Sequence, residues 1–209
     1  MDLTDLGAVG YRAEGATRAL IVLGHGAGAG QRHPFMTAVA GGFAARGIDA
    51  VTFDFPYMRE RRHVPDRAPV LEKAFLDVVD AARRWSRADR TFIGGKSMGG
   101  RMATHLGAAG VDRLRGIIVF GYPLHPPGKP ERLRVDHLPS VKVPVLVVQG
   151  ERDTFGTPAE LAPVLDTMPA GAEMLPIPGG DHSLTVRGRR EGVLAEVLDA
   201  AAAWIERQR

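Results

Sequence analysis

The chain has 209 residues, of which 44% are hydrophobic and 24% charged, with a formal net charge of +3 at pH 7. This balance predicts one globular domain over residues 1–209 and does not fit a disordered or fibrous chain. Because the chain has no cysteine, a disulfide framework, a thiolate nucleophile and a cysteine metal site are excluded. The arginines are scattered rather than clustered with aromatic residues, so we expect no nucleic-acid partner.

The sequence shows no visible signal peptide or membrane-spanning segment. Residues 1–5 are acidic where a secretory signal would be basic, and no apolar run reaches membrane-spanning length. We therefore expect a cytoplasmic protein without a membrane partner. The pattern predicts no particular oligomeric state.

Apolar runs alternate along the chain with segments of helical periodicity. The predicted strands span residues 9–13, 19–23, 50–55, 90–93, 116–120, 145–148 and 173–177. The last strand contains a proline, which removes a ladder donor, so it is expected at an edge. The predicted helices span residues 34–47, 71–85, 98–106, 158–168 and 191–208. This alternation predicts an α/β fold: a mostly parallel central sheet with helices on both faces, and sites at the C-terminal strand ends.

A Gly-x-Ser-x-Gly pattern centred on Ser97 joins a predicted strand to a predicted helix. This layout is typical of a nucleophile elbow, in which the serine occupies a strained turn between closely packed elements. The helix N-terminus behind it suits a developing oxyanion. The alternative is a glycine-rich turn with a solvated serine, so the elbow needs a base, an acid and a second oxyanion donor elsewhere.

The residues after two later strands supply a base and an acid. His182 follows the last strand and, unlike the other six histidines, comes after both the serine and an acid in chain order. Asp153 follows the strand over 145–148 and is the preferred acid, with Glu151 and Asp181 as rivals. The alternatives are a surface histidine and a turn aspartate.

The glycine-dense loop that begins at His25 follows the second strand. Its small residues leave the backbone accessible, so the N–H of Ala27 is the predicted second oxyanion donor beside the N–H of Met98.

The order Ser97, Asp153, His182, with a His-Gly loop upstream, resembles the α/β-hydrolase superfamily over essentially the whole chain. More narrowly, residues 25–28, 53–62, 94–101 and 180–183 resemble a compact family near the dienelactone hydrolases. That family also includes the hydrolase-like domain of a subunit of a chromatin acetyltransferase complex. Dienelactone hydrolases use a cysteine nucleophile, which this chain lacks. Many superfamily members insert a helical lid where this chain has only residues 121–143, so the resemblance implies no sizeable lid domain.

We therefore expect a serine hydrolase that cleaves a small to medium ester or thioester through an acyl-enzyme on Ser97, without a metal or organic cofactor. Arg61 and Arg62 follow a strand end and would bind an anionic substrate group, unless they form a solvated basic loop. Tyr57 and Tyr122 would line the pocket, with core packing as the equal alternative. Arg101 is expected to brace the elbow helix.

Two other functions fit parts of the sequence. A non-catalytic hydrolase-like scaffold would bind a protein partner and leave the serine, aspartate and histidine unused. A dinucleotide-binding protein would use the glycines at 24 and 26 with Asp54 as the ribose acid. Residues 31–34 separate those glycines from the next predicted helix, which disfavours the dinucleotide reading.

Overall fold

The computed structural model describes residues 1–189 and 193–208. Seven strands are present: β1 Val9–Tyr11, β2 Ala19–Gly24, β3 Ile48–Phe53, β4 Thr91–Lys96, β5 Leu114–Phe120, β6 Val145–Gly150 and β7 Ala172–Ile177. Six α-helices accompany them: α1 Pro34–Ala44, α2 Pro56–Arg59, α3 Ala68–Trp85, α4 Met98–Ala109, α5 Pro158–Leu165 and α6 Leu194–Arg207.

The strands form one sheet in the order β1-β3-β2-β4-β5-β6-β7. Only β1 is antiparallel to its neighbour, and β7 is the predicted edge strand. The chain leaves β2 toward β3 on one side and returns to place β4 on the other. The loops after β2 and β4 therefore flank a topological switch point, where α/β sheets place their ligands.

Helices cover both faces of the sheet, as the apolar strand runs predict. On one face α3, α4 and α5 pack over a core that includes Phe75, Met102 and Leu161. On the other face α1 and α6 pack over a core that includes Phe43 and Trp204. The predicted α/β fold, a mostly parallel central sheet with helices on both faces, is confirmed.

The predicted element bounds differ from the observed ones at a few places. Strand β3 begins at Ile48 rather than residue 50 and so includes Asp49, which is buried. Its carboxylate accepts hydrogen bonds from Ser86 Oγ (2.7 Å) and the Ala13 N–H (2.8 Å), which compensates its burial. The short helix α2 lies where a loop was predicted. The predicted start of the last helix at residue 191 lies outside the described residues.

Residues 121–144 join β5 to β6 with little regular structure, apart from one 3-10 turn at Leu138–Ser140. The segment is too short to build a helical cap, so the fold has no large lid. Among residues 1–189 and 193–208, none of the helices combines the length and apolar character that crossing a bilayer requires.

Candidate active site

Ser97 occupies the turn between β4 and α4 in a strained conformation, with φ 50° and ψ −112°. A positive φ is costly for a residue with a Cβ, and here two tight glycine contacts maintain it. A Cβ on Gly95 or on Gly99 would lie 2.1 Å from the carbonyl oxygen of Gly24 at the end of β2. Strand, helix and neighbouring strand therefore meet backbone to backbone around Ser97.

A continuous hydrogen-bonded chain joins the three predicted catalytic side chains. Ser97 Oγ lies 2.9 Å from His182 Nε2, and His182 Nδ1 lies 2.7 Å from Asp153 Oδ2. The tautomer with its proton on Nδ1 satisfies both contacts, because it donates to the carboxylate and leaves Nε2 to accept from the serine. The structure thus brings together residues that are separated by 56 and 29 positions in the chain.

The Asp153 carboxylate is buried, 2% exposed, and is held by two donors besides His182. Gln149 Nε2 donates to Oδ2 at 2.9 Å and the Phe155 N–H donates to Oδ1 at 2.8 Å. Gln149 is itself fully buried and also bonds to backbone groups of Gly156 and Tyr122. The sequence analysis did not single out Gln149, although a glutamine at the end of an apolar buried strand is a visible signal.

The rival acids have other partners. Glu151 accepts a hydrogen bond from the Gly179 N–H at 2.9 Å. Asp181 accepts from the N–H groups of Ser183 and Thr185 at 2.8 and 2.9 Å. Both carboxylates therefore stabilise the loop that carries His182 instead of contacting its ring.

Lys96 and Phe155 hold the His182 loop and ring. The Lys96 ammonium donates to the His182 carbonyl oxygen, and the Phe155 ring lies against the imidazole with centroids 4.2 Å apart. Burial lowers the pKa of Lys96 to about 8, although the carboxylates of Asp153 and Asp181 act in the opposite direction. Lys96 was not predicted as a site residue.

The loop after β2 places the Ala27 backbone beside the elbow. A Cβ on Gly26 would lie 3.8 Å from Ser97 Cβ, and the Tyr57 hydroxyl donates to the Ala27 carbonyl oxygen at 2.9 Å. Within the described chain, the N–H groups of Ala27 and Met98 have no hydrogen-bond acceptor. Met98 is the first residue of α4, where N–H groups lack an intrahelical partner.

His25, one of the competing histidines, is fully buried and supports this loop. Its Nε2 accepts from the Phe55 N–H at 3.1 Å, so its Nδ1 carries the proton donated to the Gly26 carbonyl at 2.8 Å. Burial lowers the pKa of His25, with the Gly26 contact and Asp54 opposing. The neutral ring thus connects the loop after β2 to the segment after β3 through two hydrogen bonds.

A cavity of about 550 Å³ opens directly onto Ser97 and His182. This volume suits a small to medium ligand. Its walls are largely apolar, with Phe35, Met36, Ala68, Leu71, Met98, Pro123 and Phe155. Charged side chains from Asp66, Lys96, Arg101 and Arg134 complete the lining.

The predicted substrate-binding residues lie outside the lining of this cavity. Tyr57 and Tyr122 are buried, and their hydroxyls donate to the carbonyls of Ala27 and Arg134. Neither lines the cavity, so core packing describes both tyrosines and the pocket-lining expectation is corrected. Arg61 and Arg62 are exposed and line a separate, smaller cavity of about 340 Å³ beside Ala27.

The glycines after β2 are not arranged as a dinucleotide site. Helix α1 begins only at Pro34, and the Asp54 carboxylate accepts from the Gln31 N–H at 2.7 Å and from its side chain at 3.3 Å. The expected ribose acid is therefore engaged within the protein. Among the described residues, no group of three or more histidine and carboxylate side chains is arranged to hold a metal ion.

A family model described as an alpha/beta hydrolase domain matches residues 17–208. The chain belongs to this family. The match covers the elbow, the His-Gly loop and the His182 loop of this α/β-hydrolase domain. The resemblance to the hydrolase-like domain of a chromatin acetyltransferase subunit stays a prediction.

Several solved structures share the fold of this α/β-hydrolase domain. A dienelactone hydrolase from Anabaena variabilis matches with a TM-score of 0.75 at 20% identity, covering 96% of this chain and 91% of that one. Est1E from Butyrivibrio proteoclasticus matches with a TM-score of 0.73 at 16% identity, covering 96% and 93%. TT1662 from Thermus thermophilus matches with a TM-score of 0.72 at 23% identity, covering 95% and 93%. At these identities the likeness concerns the fold.

Proposed function

We propose that this α/β-hydrolase domain is a serine hydrolase that cleaves small to medium carboxylic esters or thioesters. The observation that carries the proposal is the unbroken hydrogen-bonded chain from Ser97 through His182 to Asp153, placed at a strained elbow on the wall of a cavity. Family membership supports hydrolysis, and the side-chain chemistry supports a covalent serine mechanism.

In the first half-reaction, Ser97 Oγ attacks the substrate carbonyl carbon while His182 Nε2 takes the hydroxyl proton. The carboxylate of Asp153 stabilises the resulting imidazolium. The carbonyl oxygen becomes an oxyanion, which the N–H groups of Ala27 and Met98 bind. His182 then returns the proton to the departing alcohol or thiol, leaving an acyl group on Ser97.

In the second half-reaction, water attacks the acyl-enzyme and gives up a proton to His182 Nε2. The tetrahedral intermediate collapses, the proton on His182 returns to Ser97 Oγ, and the carboxylic acid leaves and gives its own proton to solvent. The apolar walls suit an acyl chain, and the absence of a large lid leaves the cavity open to water for this step.

The first test is covalent labelling with a fluorophosphonate, which reacts with activated serines. We expect labelling of the wild-type protein and none of Ser97→Ala. Hydrolysis of p-nitrophenyl butyrate should fall roughly 10⁶-fold in Ser97→Ala or His182→Ala and somewhat less in Asp153→Ala. Ser140→Ala is the matched control, because Ser140 is exposed and lies outside the cavity.

The same experiment addresses the scaffold alternative. Folded wild-type protein that neither labels nor hydrolyses any ester or thioester in a panel of acyl lengths would contradict the proposal and favour a non-catalytic role. Bound nicotinamide absorbance would instead favour a dinucleotide ligand.

A further inference from the structure

Two arginines line the cavity next to the elbow. Arg101 lies on α4 one turn after Ser97, and its N–H donates to the Ser97 carbonyl at 3.0 Å. Four residues correspond to about 6 Å along the helix axis, and helical side chains lean toward the N-terminus, here toward the serine. Arg134 reaches the same cavity from residues 121–144. Its backbone is fixed by the Tyr122 hydroxyl, which donates to its carbonyl at 2.6 Å, and by its own N–H, which donates to Leu124 at 2.8 Å.

Neither guanidinium has a carboxylate partner in the described part of the chain. The Arg101 guanidinium makes no ion pair there, and Arg134 only donates a long hydrogen bond to the Pro123 carbonyl at 3.4 Å. Among the described residues that line the cavity, the one carboxylate is that of Asp66, and it is already engaged. It accepts from Arg62 at 2.7 Å and from the Tyr57 N–H at 3.0 Å.

The positive charges of Arg101 and Arg134 repel each other. Burial, and after it the neighbouring Arg101 charge, lower the pKa of Arg134. The adjacent histidine His137 is neutral and adds no further positive charge, because burial, His105 and Arg101 lower its pKa to about 3. Two partly desolvated cations without an anion between them are unfavourable in the free protein. An anionic group in the cavity would remove that cost.

We propose that Arg101 and Arg134 together bind an anionic group, a carboxylate or phosphate, carried by the substrate whose acyl bond Ser97 attacks. The inference rests on the proposed function and names its substrate class: esters or thioesters with a negative charge a few bonds from the scissile carbonyl. Guanidinium groups present paired donors that match the oxygens of both anions.

This site is an alternative to the anion site expected at Arg61 and Arg62. Arg62 is held by Glu60 at 2.8 Å and by Asp66 at 2.7 Å, so its charge is compensated within its own loop. Both side chains are exposed and lie in the smaller cavity. Arg101, which the sequence predicts as a brace for α4, lines the same cavity as Ser97 and His182.

The kinetic test compares matched charged and neutral substrates. One pair places the charge on the acyl side, p-nitrophenyl hydrogen adipate against p-nitrophenyl hexanoate. A second pair places it on the leaving group, 4-carboxyphenyl acetate against phenyl acetate. We expect kcat/KM to favour the charged member of at least one pair by roughly 10- to 100-fold, as hydrogen bonds to charged groups allow.

The variants locate the source of that preference. Arg101→Met and Arg134→Met should each reduce the charged-to-neutral ratio of kcat/KM about tenfold or more, while Arg101→Lys keeps part of it. Arg132→Met is the matched control, because Arg132 is an exposed arginine in the same segment and lies outside the cavity. It should keep the wild-type ratio.

A binding test without turnover separates this inference from the proposed function. The thermal midpoint of Ser97→Ala protein is measured with increasing adipate or inorganic phosphate. A rise that Arg101→Met abolishes supports the anion site even if no ester is hydrolysed, and the more effective anion indicates carboxylate or phosphate. The inference is overturned if neither anion binds and neither charged ester is preferred, or if loss of preference follows Arg61→Met instead. Neutral esters hydrolysed by Ser97 would then leave the proposed function standing alone.

Discussion

At the scale of single residues, Asp153 depends on a neighbour that does not touch the histidine. Gln149 donates to Asp153 Oδ2 and to the Gly156 carbonyl, and its own oxygen accepts from the Tyr122 N–H at 2.7 Å. One buried amide therefore fixes the carboxylate and the turn that follows it. Because each group in this network is removed from water, water cannot replace a hydrogen bond that is lost.

Gln149→Leu should weaken this arrangement in two measurable ways. Loss of the amide leaves buried backbone groups unpaired and should lower the free energy of unfolding by about 1–3 kcal/mol. Because Asp153 then loses a donor, kcat for p-nitrophenyl butyrate should fall with little change in KM. Urea denaturation and steady-state kinetics measure the two effects. Glu151→Gln is the comparison, and a wild-type kcat in Gln149→Leu would remove Gln149 from the positioning of Asp153.

Lys96 predicts a pH dependence of stability. Its pKa falls from 10.5 to about 8 on folding, so between these values the unfolded chain binds more protons than the folded one. The free energy of unfolding should therefore rise as pH increases from about 8 to about 10.5. The ceiling is about 3 kcal/mol, and solvent access from the cavity reduces it.

The measurement compares wild type with Lys96→Met by urea denaturation across this pH range. Wild type should gain stability relative to the variant as pH rises. Lys73→Met serves as the control, since Lys73 is exposed and pairs with Asp77 on the surface of α3. Parallel curves for wild type and Lys96→Met would show that burial does not perturb the Lys96 ammonium.

The sequence predicts Ser97 and His182 because motif and chain order restrict the choice to few residues. Its preference for Asp153 over Glu151 and Asp181 depends on which carboxylate faces the ring, and only the loop geometry reveals that. The positions of Lys96 and Arg101 on the cavity wall escape prediction for a similar reason. Both side chains are long, and their direction follows from packing between segments far apart in the chain.

At the scale of elements, β2 and β4 meet α4 through backbone contacts that leave no room for a methyl group. Helical periodicity predicts α3 and α6 well because an apolar stripe is a local property. Helix α2 has only four residues and no such stripe, so its turn is determined by Pro56 and tertiary contacts. The elbow is predicted by its glycines, whose spacing reflects the contact with Gly24.

Gly99→Ala should damage the elbow selectively. Its Cβ would lie 2.1 Å from the Gly24 carbonyl oxygen, and backbone cannot move aside as a flexible side chain can. We expect a loss of several kcal/mol in unfolding free energy, as overpacking and backbone shifts produce, together with loss of fluorophosphonate labelling. Gly41→Ala in α1 is the matched control. A Cβ there meets no atom within 4 Å, so the helix should gain about 0.5–1 kcal/mol.

At the scale of the whole molecule, the last helix packs on the face of the sheet opposite to α4. Trp204 on α6 is 1% exposed and packs edge-on against Phe92 of β4, with ring centroids 6.1 Å apart. A Cβ on Gly116 of β5 would lie 2.5 Å from the same indole, so the tryptophan fills the space that glycine leaves. Alternating strands and helices predict this architecture from sequence. They do not predict which residue anchors α6, since that depends on strand order.

Trp204→Ala should test that anchor. Removing a buried tryptophan is expected to lower the free energy of unfolding by about 3–5 kcal/mol. Because Trp204 lies outside the cavity, active-site titration of the remaining folded protein should give near wild-type kcat. Val64→Ala, at a position 75% exposed, is the control and should change stability by less than about 0.5 kcal/mol. A small stability change in Trp204→Ala would mean that α6 is held elsewhere.

The tight backbone contacts at Gly24 and the irregular segment 121–144 differ in how much sequence change they tolerate. This difference has a practical consequence for protein engineering. The proposed nucleophile and both proposed oxyanion donors lie beside one backbone junction that tolerates no added atoms, whereas Pro123 and Arg134 line the cavity from an irregular connection. A library confined to residues 121–144 would therefore diversify substrate choice while keeping the reacting groups in register. Libraries that extend into the ends of β2 or β4 would mostly yield misfolded clones.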